Sequence, residues 1–189
     1  MTDFLATLPL GKPLPPGLYG AENPERIALR RVAADACTLV AGRDRNAVIE
    51  KAKGLGVDLV DGPRRSGGDM AFIGVGPGRW LVLSPDQSLL DRLETVFAPE
   101  ASVFAQGGGL VVLDASGPAT GAVLSKLVPL DVEIFSVGRA ATTTAAHVNL
   151  TLWRHDDTHW RFAVGASYLA AFLRAFACAA AEYGLDWVG

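Results

Sequence analysis

The chain has 189 residues, half of them hydrophobic and 20% charged, with a formal net charge of -3. That length supports a real core, and the balance of apolar and charged residues excludes a disordered chain. Arg30-Arg31 and Arg64-Arg65 are isolated pairs rather than a basic stripe, so nucleic acid is not expected as a partner.

Residues 1–26 hold Pro9, Pro13, Pro15, Pro16 and Pro24, which predicts an extended, irregular arm. Phe4, Leu5, Leu8, Leu10, Leu14, Leu18 and Tyr19 make this arm more apolar than a solvated tail. It is therefore expected to dock, either on its own domain or on another subunit. Nothing in Met1-Thr2-Asp3 starts a basic-then-apolar leader. The most apolar late stretch, 168–183, is interrupted by Arg174 and Glu182 and is short for a membrane span. A cytoplasmic protein with no membrane partner is expected.

Residues 27–32 and 37–41 read as strands, and Asp44 as the cap of a helix to about Gly54. Residues 62–68 read as a polar loop. Residues 71–75 and 79–83 form a hairpin across Gly76-Pro77-Gly78. Ser84-Pro85-Asp86-Gln87 reads as a capping box opening a helix with Leu89, Leu90, Leu93, Val96 and Phe97 on its buried stripe. Strands follow at 102–105 and 110–113, and a helix from Ser116-Gly117-Pro118 to about Leu127. After a linker at 131–139, residues 142–153 are one β-rich run. Residues 154–158 are a polar turn, 160–164 a strand, and 167–183 a final helix stopped by Gly184.

This order predicts an α+β protein. Residues 1–26 form the arm, and 27–189 a single domain of two βαββαβ-like, ferredoxin-like halves, about 27–105 and 106–189. Mixed or antiparallel sheets carry helices packed on them. A doubly wound parallel sheet is the alternative.

No catalytic constellation emerges. Gly74-Val75-Gly76-Pro77-Gly78 leads into a strand, whereas a dinucleotide turn leads into a helix. Gly107-Gly108-Gly109 also precedes a strand. His155-Asp156-Asp157-Thr158-His159 is the most ligand-like cluster, but a hairpin turn splays its two rings along different strands, so a solvated turn is expected. His147 stands apart. Ser84, Ser116 and Ser167 are expected to cap helices, and no nucleophile elbow is present. Asp114 and Asp131 are candidate paired acids, with Asp131 also suited to binding local backbone donors. Cys37 and Cys178 are expected to be buried thiols. No catalytic, cofactor-binding or metal residue is assigned.

An ordered series of motifs does stand out. Gly76-Pro77-Gly78-Arg79-Trp80-Leu81, Leu113-Asp114-Ala115-Ser116-Gly117-Pro118-Ala119 and Leu124-Ser125-Lys126-Leu127-Val128-Pro129-Leu130-Asp131 come first. Phe135, Gly138, Thr143, Ala146-His147-Val148 and Leu152-Trp153-Arg154 continue it. Together they resemble the gamma subunit of heterotetrameric sarcosine oxidase from about Ile27 onward. The chain departs from that family at Gly165-Ala166-Ser167, where an Arg-Ser pair is common, and in its Gly-rich segment before Leu110. These departures leave open another N-methyl amine as substrate.

The resemblance implies a fold like the folate-binding domain of the glycine-cleavage aminomethyltransferase. It implies alpha, beta and delta partner subunits that hold FAD, FMN, NAD, tetrahydrofolate and zinc, with no cofactor in this chain. It implies a non-catalytic role in oxidising sarcosine to glycine, with hydrogen peroxide released and the one-carbon unit passed to tetrahydrofolate. A free-standing folate-binding or aminomethyltransferase-like protein is the alternative, although the K-G-C-Y-x-G-Q motif of its iron–sulfur-maturation relatives is absent.

Overall fold

A computed structural model describes residues 12–86 and 88–189. In chain order the elements are β1 (Gly17–Tyr19), β2 (Ile27–Val32), β3 (Asp35–Ala41), α1 (Arg45–Lys53), β4 (Arg65–Gly67), β5 (Ala71–Gly76) and β6 (Arg79–Ser84). There follow α2 (Leu89–Phe97), β7 (Ala101–Ala105), β8 (Leu110–Ser116), α3 (Thr120–Leu127), β9 (Ala140–Ala145), β10 (Val148–Arg154), β11 (His159–Gly165), α4 (Leu169–Ala180) and β12 (Leu185–Trp187). Two compact units result. One joins the segment ending at Val32 with Val111–Val137 and Thr142–Gly189, and the other joins Ala33–Leu110 with Gly138–Ala141.

The second unit is built on a five-stranded sheet, β4-β5-β6-β3-β7, antiparallel at all four junctions. Asp44 caps α1 as its chemistry dictates, its Oδ1 accepting from Asn46 N at 2.9 Å and Ala47 N at 3.2 Å. The helix then buries Val48 and Ala52 in a cluster with Leu39, Phe72, Trp80, Val82, Leu93 and Phe97. Each large side chain so buried contributes about 1.5–3 kcal/mol. Phe72 and Phe97 meet edge to face at 6.2 Å. The buried Trp80 donates from Nε1 to Val60 O at 2.9 Å, which satisfies its one polar atom. Gly74 has no room for a side chain: a Cβ there would lie 1.8 Å from Gly62 O. Gly78 turns the hairpin at φ +63°.

The first unit holds a seven-stranded sheet in the order β1-β12-β2-β8-β11-β10-β9. β12 runs parallel to β2, while the β1·β12, β2·β8 and β10·β11 pairs are antiparallel. The doubly wound parallel alternative is thereby excluded, and a mixed α+β fold stands. Ile27, Leu29, Leu113, Phe162 and Val164 are all fully buried. Phe162 meets Phe172 and Phe176 of α4 at 5.7 and 6.0 Å. Lys126 of α3 reaches the end of α4, donating to Ala179 O at 3.0 Å, pairing with Glu182 and lying 4.9 Å from the Tyr183 ring centre. At the other sheet edge Leu14 is buried, and its carbonyl accepts from Trp187 Nε1 at 2.9 Å.

Several expectations need correction. The loop at 62–68 contains β4, whose three residues pair with Ile73, Phe72 and Ala71. The capping box does not form, because Ser84 ends β6 and its Oγ accepts from Asp86 N at 3.0 Å. The helix begins later, at Leu89, after Asp86 Oδ1 accepts from Ser88 N at 2.9 Å. Gln87 lies outside the described residues. Ser116 ends β8, and Ser167 lies in a 3-10 turn, so neither caps a helix through its side chain. The run at 142–153 is two strands split by Ala146 and His147, at φ +47° and +69°. Cys37 is buried, but Cys178 is exposed. Of the arm's apolar residues, Phe4, Leu5, Leu8 and Leu10 lie outside the described residues, and Leu18 is 64% exposed. Among the described residues, no helix is long and apolar enough to cross a membrane.

Candidate functional site

The polar residues that converge in this molecule do so on and beside β8. Leu113 and Ala115 of that strand are buried, and alternation sends Asp114 between them to the opposite face. Its carboxylate is 1% exposed. Register sets Arg30 of β2 directly across from it, and β11 lies on its other side. Arg161 Nε donates to Asp114 Oδ2 at 2.9 Å. Arg30 Nε stands 3.7 Å and His159 Nε2 4.0 Å from Oδ1, which has no hydrogen-bond partner. A buried carboxylate costs several kcal/mol unless it is paired, and the Arg161 guanidinium supplies that pairing. Asp114 thus anchors the strands on either side of it.

The turn between β10 and β11 closes with His155 N donating to His159 O at 2.9 Å. Asp156 Oδ1 accepts from Thr158 N at 2.8 Å, Thr158 Oγ1 at 3.0 Å and His159 N at 2.9 Å, and lies 3.0 Å from His159 Nδ1. Burial works against the Asp156 charge, yet these donors outweigh it and hold the carboxyl well below the usual range. The His159 ring is therefore held to the turn while 32% of its side chain stays exposed. Among the described residues, no group of three or more His, Cys, Asp or Glu side chains is placed to hold a metal ion.

On the far side of the same turn lies a cleft of about 360 Å³, lined among others by Gly117, Gly121, Glu133, Arg154, Asp157 and Trp160. Trp160 meets Phe135 at 5.3 Å with the rings tilted by 40°, and the Arg154 guanidinium lies 5.8 Å from the Trp160 ring centre. Arg154 donates to Phe135 O at 3.1 Å and Asp157 O at 3.3 Å. Three hydroxyls line the cleft: Thr120 donates to Gly117 O at 2.8 Å, Ser125 to Gly121 O at 3.0 Å, and Thr158 Oγ1 lies 3.0 Å from Asp156 Oδ1 and 2.9 Å from His159 Nδ1. The cleft has room for a small polar group.

The two candidate acids do not act as a pair. Asp114 is held by Arg161, whereas Asp131 is exposed and accepts from Glu133 N at 3.1 Å in a local turn. The glycines of residues 74–78 serve a hairpin, as expected from the strand that follows them. The sequence named Arg30 only as one of an isolated basic pair and Arg154 only within a motif of the family resemblance, and it did not single out Arg161. The available signal was one opposite charge inside each of two apolar strands, Asp114 in LVVLDAS and Arg161 in HWRFAVG.

No family model matches the chain. The chain is 32% identical over 136 residues to sarcosine oxidase subunit gamma of Corynebacterium sp. (strain U-96), covering 68% of this chain and 65% of that relative. It is 31% identical over 126 residues to the Arthrobacter sp. subunit gamma, covering 64% and 62% respectively. The matches thus span just under two thirds of these relatives' length. The fold overlays a chain of heterotetrameric sarcosine oxidase from Corynebacterium sp. U-96 with a TM-score of 0.78 at 28% identity, covering 87% of this chain and 88% of that one. It also overlays the glycine cleavage system aminomethyltransferase T of Bartonella henselae, with a TM-score of 0.64 at 15% identity over 87% and 48%, a likeness of fold alone. In sequence and in fold, this chain is a homologue of the sarcosine oxidase gamma subunits, built on the fold they share with the aminomethyltransferase.

Proposed function

We propose that the chain is the gamma subunit of a heterotetrameric flavoenzyme of the sarcosine oxidase type, and that it contributes architecture rather than chemistry. One observation carries this reading: residues that mark the family resemblance are committed to the fold. Gly78 turns a hairpin, Trp80 fills a core, Gly117 sits where a Cβ would meet Arg26 O at 2.5 Å, and Lys126 ties α3 to the end of α4. Asp114, the most buried acid, is engaged by Arg161. On this reading the alpha, beta and delta subunits hold FAD, FMN, NAD, tetrahydrofolate and zinc. The cytoplasmic assembly oxidises sarcosine, or a related N-methyl amine, to the demethylated amine with release of hydrogen peroxide.

The test is co-expression of the tagged chain with candidate alpha, beta and delta subunits. The complex recovered on the tag is expected to be yellow and to release peroxide from sarcosine, while the chain alone is colourless and inactive. Recovery of the chain without the partners overturns the reading. Tetrahydrofolate binding by the isolated chain would favour the free-standing folate-binding alternative.

A further inference from the structure

The five-stranded sheet treats its two edges differently. Beyond β4, Arg65 N donates to Gly138 O at 2.7 Å and Ala140 N to Pro63 O at 2.8 Å, and Arg64 bridges Arg139, so that edge is covered. At the other end, β7 pairs with β3 on one side only. Gly42 N donates to Glu100 O at 2.8 Å and Gln106 N to Ala36 O at 2.9 Å. Antiparallel pairing alternates, so the even-numbered residues turn their backbone groups to β3. Ala101, Val103 and Ala105 therefore present their N–H and C=O groups outward.

Proteins blunt such an edge with lysine, proline, a bulge or a cover. Among the described residues no further strand pairs with β7, its register to β3 is unbroken, it holds no proline, and no charged residue occurs between Glu100 and Asp114. Phe104 within it is 54% exposed. The flanking helix α2 exposes acids together with Arg92, and that arginine is paired with Asp86. Asp91 and Glu94 of α2 are exposed. α2, the helix that carries Glu94, packs against β7.

We propose that β7 receives an extended strand from a partner subunit, uncharged opposite Ala101–Ala105 and carrying a Lys or Arg that faces Glu94. The backbone edge specifies an extended strand, and Glu94 specifies the sign of the adjoining charge. A second copy fits less well. An antiparallel two-fold pairing centred on Val103 sets Glu94 beside the Glu100 end of the other copy, with Lys51 already engaged by Glu100. The inference rests on the subunit reading above and names the surface that reading needs.

The experiment uses the co-expressed complex with this chain tagged. Ala105→Pro removes an outward N–H while leaving the β3 ladder intact. Phe104→Lys and Glu94→Lys alter exposed side chains only, so they keep the test open should the proline variant fail to fold. Each is expected to lower recovery of the partner subunits about tenfold, the loss of one or two ladder bonds or one charge pair, with the melting temperature of the isolated chain little changed. Wild-type recovery with Phe104→Lys and Glu94→Lys overturns the proposal. So does a wild-type homodimer, seen by sedimentation, that Phe104→Lys dissociates. Failure of the wild-type chain to assemble at all is a different result and overturns the subunit reading together with the edge.

Discussion

Replacing Asp114 by alanine removes the carboxylate that two arginines, Arg161 and Arg30, approach, and its cost follows from their distances and exposures. The Arg161 bond, at 2.9 Å to a carboxylate 1% exposed, is charge-assisted and contributes about 1.5–3 kcal/mol. Arg161 is itself 26% exposed, so solvent softens the loss of its partner. Arg30, at 3.7 Å and 59% exposed, adds less than about 0.5 kcal/mol. The expected net loss is about 2–3 kcal/mol, a fall of roughly 5–10 °C in melting temperature for a chain of this size. Urea unfolding of Asp114→Ala, Arg161→Ala, Arg30→Ala and the double variant Asp114→Leu with Arg161→Met measures it. The double variant is expected to recover most of the loss, because neither partner is left alone. The reasoning is refuted if Arg30→Ala costs as much as Arg161→Ala, or if Asp114→Ala stays within about 0.5 kcal/mol of wild type.

Gly117→Ala places a Cβ 2.5 Å from Arg26 O at φ +130°, so a loss of about 3 kcal/mol is expected in denaturant unfolding. Burial, with Glu94 nearby, pushes the Cys37 thiol up to about 11. Ellman's reagent near pH 8 is therefore expected to label Cys178 quickly and Cys37 only after unfolding. Hydrogen bonds from Ser88 and then Arg92 lower the Asp86 carboxyl from 3.8 to about 2. The stability it contributes is present above pH 3.8 and is lost as pH falls through about 2. Carbon NMR should place its midpoint there, and Arg92→Ala should move that midpoint upward.

Much of the fold was legible because local chemistry and final packing agree. Asp44 caps the helix it precedes, Gly76-Pro77-Gly78 turns the hairpin, and Gly184 at φ +83° follows the last helix. Reading failed where a residue's partner is distant. Ser84 resembles a cap but belongs to a strand, since its side chain is buried and bonded to Asp86. β4 and β12 have three residues each, too short for periodicity, and exist because other strands pair with them. The turn at Ala146-His147 lacks the Gly or Asn that usually marks positive φ. The acid of the candidate site was seen, but not that Arg30 and Arg161 flank it, because only strand register brings β2, β8 and β11 together.

β12 has a bearing on synthesis. It lies between β1 and β2, so the start of the seven-stranded sheet is held together by residues that leave the ribosome long afterwards. The indole of Trp187 bonds to Leu14 O, 173 positions back along the chain. Until that segment emerges, β1 has no strand beside it, and one edge of β2 stays open to any extended neighbour in a crowded polysome. A released chain truncated at Tyr183 should consequently expose Leu14 to protease, and a chain that retains residues 184–189 should protect it.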